Sequence, residues 1–180
     1  LLEECLCAVQ VWMTEHKLKL NTNKTEFLVF ASKETARHIH PCVLRVGDDD
    51  VKSSCSAKNI GVFMDQSLTC EQQVHHVCRT GYAQLRNLAK VKRFIDRASL
   101  ETLIHAFITV RIDYCNSLLY GVNDNLIRKL QVLQNACARL ITNVSRFDHI
   151  TPVLIQLHWL PVKDRIAFKI LVMTFKCIHG

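Results

Sequence analysis

The spacing of apolar residues changes once along this chain, near Ser67, and that change constrains the fold more than any other feature. Before it, apolar residues fall in short runs or alternate with polar ones, as in strands whose side chains point to opposite faces. After it they recur at intervals of three and four, the mark of a buried helix face with a period of about 3.6 residues. The expected fold class is therefore α+β: a small portion over residues 1–66 (helix, strand, β-hairpin, strand), then an all-α helical bundle over 67–180. At 180 residues with 49 % hydrophobic and 22 % charged residues, the chain has material for one large core or two small ones.

In the first portion Leu2, Leu6, Val9 and Met13 form one stripe of an amphipathic helix reaching about His16. Asn21, Thr22 and Asn23 interrupt it, and Glu26 to Ala31 reads as a buried strand. Cys42 to Val46 and Val51 to Ser54 flank the run Gly47-Asp48-Asp49-Asp50, which predicts a hairpin with a Gly/Asp turn. Ile60 to Met64 reads as a further strand, preceded by Lys58-Asn59 and ended by Asp65.

In the second portion Val74, Val77, Cys78, Tyr82, Leu85 and Leu88 define a helix through about Lys90. Asp96 is placed to N-cap a second helix with Leu100, Leu103, Ile104, Phe107 and Ile108 inward. Asn123 or Asp124 caps a third, burying Leu126, Ile127, Leu130, Leu133, Cys137, Leu140 and Ile141. Thr151-Pro152 starts a short fourth helix, since proline is tolerated in a first turn. Pro161 opens a fifth, with Ile166, Ile170 and Met173 on one side and Gly180 at its end.

Lysine and arginine number 23 against 16 aspartates and glutamates, a formal charge of +7, and the excess is uneven. Arg79, Arg86, Lys90, Lys92, Arg93 and Arg97 are opposed within their own span only by Asp96. Such a segment binds phosphates in a salt-dependent way by releasing counterions; a solvated helix face accounts for the same residues. No apolar run is long enough to span a bilayer, and no secretory signal opens the chain. The nine cysteines are scattered without a Cys-x-x-Cys pair, which fits reduced thiols in an intracellular protein, nuclear or cytoplasmic. His75, His76 and Cys78 have poor spacing for zinc, because adjacent histidines point in different directions on a helix.

Gly47-Asp48-Asp49 looks like the metal-binding hairpin of an RNA-copying polymerase, but no aspartate precedes Asp48 to supply the partner carboxylate, and a plain turn demands the same residues. Asp113 and Cys115 are two residues apart on a helix and face different sides, so they do not make one catalytic site with His105. His158-Trp159-Leu160-Pro161 reads as a packed corner, with the indole as anchor and the proline opening a helix.

Five strings, in order, resemble the end of the reverse transcriptase of LINE-type (non-LTR) retrotransposons. Trp12-Met13 with Leu18-Lys19-Leu20-Asn21-Thr22-Asn23-Lys24-Thr25-Glu26 is similar to that family's fourth palm motif, and Asn59-Ile60-Gly61-Val62-Phe63-Met64-Asp65 to its primer-grip hairpin. His105-Ala106-Phe107 with Arg111 to Gly121, Leu130-Gln131 with Gln134 to Ile141, and Asp148 to Leu154 with Leu157 to Val162 resemble its thumb. No one string is specific; the five together cover nearly the whole chain.

The resemblance implies a palm edge over 1–66 and a helical thumb or connection region over 67–180 of an RNA-directed DNA polymerase. It implies that Lys24 donates a proton to the departing pyrophosphate and that Ile60, Gly61 and Val62 form the primer grip. It implies that Arg79, Arg86, Lys90, Lys92, Arg93 and Arg97 lie against the template–primer, an RNA–DNA or DNA duplex. The family's metal-binding aspartates belong to earlier palm motifs, so the chain reads as a fragment, inactive alone. Its partners are nucleic acid and the upstream palm and fingers of the same polypeptide. No cofactor is expected in the fragment, whereas magnesium is implied for the complete enzyme. The alternatives are a non-enzymatic nucleic-acid-binding helical module and an inert relic of a decayed element.

Overall fold

The computed structural model describes residues 1–36, 38, 42–47 and 49–180, and the chain is mixed α+β. It divides into two compact units, Leu1–Thr69 and Cys70–Gly180.

Unit 1 opens with helix α1, Leu2–Glu15, whose Glu3 and Glu4 sit at the positive end of the helix dipole. It stops in a Schellman turn: Lys17 adopts a left-handed φ of 58°, and Leu18 N donates to Met13 O at 2.8 Å. None of its stripe is fully buried. A 3-10 turn, Thr22–Lys24, leads to strand β1, Phe27–Leu28, and a four-residue helix α2 covers Lys33–Ala36. Strands β2, Val43–Val46, and β3, Asp49–Ser54, pair antiparallel, and β1 runs parallel to β3, giving the order β1-β3-β2. Strands β4, Ser56–Asn59, and β5, Val62–Asp65, form a separate antiparallel hairpin.

Four expectations for this unit need correcting. The strand expected over Glu26 to Ala31 is two half-buried residues long, because it has one parallel neighbour and Phe30 turns out to solvent. The turn expected over Gly47 to Asp50 is shorter: Val46 pairs with Asp49, so Asp49 and Asp50 belong to β3, and Asp48 lies outside the described residues. The strand expected from Ile60 begins instead at Val62, since Asn59 pairs with Val62 and Ile60-Gly61 form a two-residue connection. Ser56–Asn59, not foreseen as a strand, is the other half of that hairpin.

Unit 2 contains the continuous core. Helix α3, Glu71–Val91, packs against α6, Asp124–Thr142, with Val74, Val77 and Leu88 facing Leu130, Leu133 and Cys137. A 3-10 turn, Lys92–Phe94, joins α3 to α4, Arg97–Ile104. Asp96 caps α4 by accepting from Ser99 N at 2.7 Å, which holds its carboxyl below the usual range. The helix expected to run on through Ile108 widens into a π turn at His105–Thr109 before α5, Val110–Asp113. That extra residue keeps Ile104, Ile108 and Ile112 buried four apart and swings Phe107, expected inward, to 43 % exposure.

Asn123 caps α6 through Asn125 N at 2.9 Å, and left-handed Asn143 ends it. Helix α7, Thr151–Gln156, carries its proline in the first turn. It closes in a second Schellman turn at His158, φ 54°, with Trp159 N donating to Leu154 O at 2.8 Å. Helix α8, Val162–His179, buries Val162 and Ile166; Met173, expected inward, is 49 % exposed because the helix has passed the end of the core it packs on.

Buried polar groups pair across the strings that carried the resemblance, although Asn116 Oδ1 is buried without a hydrogen-bond partner among the described residues. Gln134 Nε2 donates to Leu160 O at 2.9 Å, and Val162 N donates to Gln131 Oε1 at 2.8 Å, so α6 clamps the corner between α7 and α8. Trp159, 7 % exposed, anchors that corner against the edge of the His105 ring, 5.2 Å away between centroids.

Candidate nucleic-acid interface

Helix α3 presents two chemically opposite faces. Val74, Val77, Gly81 and Leu88 are buried, whereas Arg79, Arg86 and Lys90, seven and four residues apart, are exposed on the other side. At about 1.5 Å of rise per residue these three cations span roughly 16 Å. That length matches about five nucleotides of one strand at about 3.4 Å each. Lys90 also lies in the last turn, where a cation offsets the helix dipole.

The remaining residues of the basic segment do different things. Arg93 is exposed on the turn after α3, its guanidinium 4.6 Å from the Phe94 ring centre. Arg97 is exposed at the first position of α4, beside the positive end of that helix, a placement that helix electrostatics does not explain. Lys92 is half-buried, and its ammonium donates to the Leu140 carbonyl and to Asn143 Oδ1. Its charge closes the negative end of α6, a structural task that the other five cations do not share.

Two further cations stand out in the folded chain. Lys129 on α6 reaches across to α3, where Nζ donates to His75 Nε2 at 2.7 Å. Arg146, on the loop after α6, stacks 4.6 Å over Phe147. Neither stood out in the sequence, because each is an isolated basic residue on its own element. Arg139, by contrast, is occupied: Nε and Nη2 donate to the carbonyls of Ser145 and Asp148 at 3.1 and 3.0 Å.

In unit 1, Lys24 is exposed at the end of the 3-10 turn, and its segment is tied to the β4–β5 hairpin by Lys58 N donating to Glu26 Oε2 at 3.0 Å. At the hairpin tip Ile60 has φ 47° and Gly61 φ 82°, and Ile60 is 80 % exposed while Val62 is buried at 4 %. Left-handed backbone is free for glycine but costs a β-branched residue about 1–2 kcal/mol. An apolar side chain is thus held in a strained, projecting position.

An open cleft of about 730 Å³ lies between the end of α1 and the β2–β3 connection, lined by Gln10, Asn21, Thr22, Gly47 and Asp49. Asp49 is engaged there by Thr22 Oγ1 at 2.6 Å. Asp49 and Asp50 are consecutive in β3 and so point to opposite faces. Among the described residues no three His, Cys, Asp or Glu side chains come together to hold a metal ion. The magnesium implied for a complete polymerase therefore does not fit any group of described residues in this chain. No disulfide links the cysteines, and no helix among the described residues is long and apolar enough to cross a membrane.

No protein-family model, curated protein or solved structure matches the chain.

Proposed function

We propose that the chain is the palm edge and thumb of an RNA-directed DNA polymerase of the non-LTR retrotransposon kind, and that unit 2 holds the template–primer duplex by its phosphates. The observation that carries this reading is the line of Arg79, Arg86 and Lys90 on the exposed face of α3, continued by Arg93 and Arg97 on the turn and helix that follow. Cations along one rigid helix meet a polyanion of matching spacing without reading its sequence. In the same reading Ile60, Gly61 and Val62 form the primer grip and Lys24 donates a proton to pyrophosphate in the complete enzyme. The aspartate motifs that bind magnesium are not among these residues, so the chain by itself holds duplex without extending it.

The test is the affinity of the chain for a labelled RNA–DNA hybrid of two unrelated sequences, by fluorescence anisotropy. Equal affinities that fall at least about tenfold in the triple variant Arg79→Gln, Arg86→Gln, Lys90→Gln support the proposal. Undiminished binding by that variant contradicts it.

A second reading, a non-enzymatic nucleic-acid-binding helical module, is favoured by one observation: the core cluster from Val74 to Ile166 lies wholly in unit 2. If residues 70–180 alone fold and bind hybrid as tightly as the full chain, the module reading gains. Loss of affinity on removing the Ile60 hairpin favours the polymerase reading.

A further inference from the structure

The turns that follow α3 and α6 meet at one end of unit 2. Lys92 on the first turn donates to Leu140 in the last turn of α6 and to Asn143 just after it, and a hollow of about 290 Å³ there is lined by Ile95, Arg97, Thr142 and Asn143. Each turn then presents the same dipeptide. Arg93 stacks on Phe94 and Arg146 on Phe147, both with the guanidinium 4.6 Å from the ring centre. The two phenyl rings are 72 % and 82 % exposed. At about 3.5 Å of chain per residue, Phe94 lies within about 7 Å of Lys92 and Phe147 within about 14 Å of Asn143 along the backbone.

These rings stand on tied turns. Ile95 N donates to Lys92 O at 3.4 Å on one side; on the other, Phe147 N donates to Ser145 Oγ at 3.3 Å while Arg139 holds the Ser145 and Asp148 carbonyls. The nearby carboxylates are spent on backbone: Asp96 accepts from Ser99 N and Asp148 from Ser145 N at 3.2 Å. A single exposed aromatic is ordinary. A matched pair, on turns sharing one end of a bundle and each ring topped by an arginine, calls for a ligand with flat apolar faces and negative charge.

We propose that the two Arg-Phe turns are a stacking platform for the unpaired bases of single-stranded nucleic acid, with Arg93 and Arg146 taking the adjoining phosphates. Unstacked bases offer a face to an aromatic ring whatever their identity, and arginine serves both the ring and the phosphate. A duplex keeps its bases stacked on each other and has no such face to give, so this site is distinct from the α3 cation line. It deepens the nucleic-acid reading of unit 2 yet can fail without it: Arg93 is common to both, but the platform rests on the Phe94 and Phe147 rings and takes another form of the polymer. Positive charge at both turns favours a polyanion over an apolar protein segment.

The experiment compares binding of the full chain to a labelled oligodeoxyadenylate, to an abasic oligomer of equal length, and to the RNA–DNA hybrid, beside the double variant Phe94→Leu, Phe147→Leu. The base-bearing oligomer should bind about tenfold or more tighter than the abasic one, as one or two stacked bases provide. In the variant this margin should shrink to about threefold or less, with hybrid affinity unchanged and the helical circular dichroism intact. Equal binding of the two oligomers by the parent chain, no oligomer binding at all, or an unchanged margin in the variant overturns the proposal, even if hybrid binding persists. So does self-association that the variant abolishes without any effect on oligomer binding, which would make the turns a contact between copies.

Discussion

Gly81 on α3 lies so close to Leu133 on α6 that a Cβ added to the glycine would sit 2.5 Å from Leu133 Cδ2 and 3.3 Å from Cδ1. Leu133 is fully buried in the core, so its side chain can yield only by displacing packed neighbours. Helix propensity alone would make Gly81→Ala stabilising by about 1 kcal/mol. Overpacking of a closed interface costs about 1–3 kcal/mol and decides the sign. The variant should be less stable than the parent by up to about 2 kcal/mol, read as a lower urea midpoint; a raised midpoint would mean that the two helices separate easily.

Asp113, at the end of α5, receives the Arg165 side chain from α8 as a fork, Nε to Oδ1 at 2.8 Å and Nη2 to Oδ2. This is the carboxylate dismissed as a catalytic partner of Cys115, and its role is to fasten α8. Both side chains are partly exposed, at 35 % and 22 %, so solvent screening keeps the contribution near about 1 kcal/mol. Asp113→Asn and Arg165→Gln should each lower stability by about that amount, and the double variant should cost much less than their sum. Simple additivity in the denaturation cycle would deny the pairing.

Burial pushes the Cys137 thiol up from 9.0 to about 12. The folded state therefore keeps its proton where the unfolded chain has begun to lose it, and stability falls as pH rises above about 9, by roughly 1.4 kcal/mol per pH unit, until the folded group also ionises. Burial raises Cys78 and Tyr82 in the same direction. Cys137→Ala should start somewhat less stable at neutral pH and show a shallower alkaline decline than the parent. Parallel declines from pH 9 to 11 would show that Cys137 does not couple to folding.

The Ile60 tip separates stability from binding. Ile60→Asn puts Asn-Gly in a two-residue hairpin that needs positive φ at both places, and should stabilise unit 1 by about 1 kcal/mol. If the projecting isoleucine touches the primer strand, the same change should weaken hybrid binding. Thermal melts and hybrid titrations on one sample read both; a more stable variant with unchanged affinity would remove Ile60 from the interface.

Much of the helical unit was legible from one-dimensional signals. Asp96 and Asn123 cap where short polar residues precede apolar periodicity, and Pro152 and Pro161 sit where helices begin. What was not legible depends on pairing in space. The π turn at His105–Thr109 leaves the apolar spacing nearly intact, so Phe107 looked inward. Ser56–Asn59 has almost no strand composition and becomes one only because β5 folds back on it. In the basic segment, sequence treats Lys92 like its neighbours; only the arrival of the α6 terminus, forty-odd residues on, sets it apart. Lys129 and Arg146 were missed for the same reason.

The central claim, that the exposed face of α3 meets phosphates, is tested most directly by the salt dependence of hybrid binding in the parent, in Arg79→Gln/Arg86→Gln/Lys90→Gln, and in Lys92→Gln. Each phosphate contact contributes about 0.9 to the slope of log affinity against log salt on duplex. The triple variant should therefore lose about two to three units of slope, whereas Lys92→Gln should lower stability and leave the slope within about one unit of the parent. A parent slope near zero, or a triple variant with the parent's slope, would contradict the account.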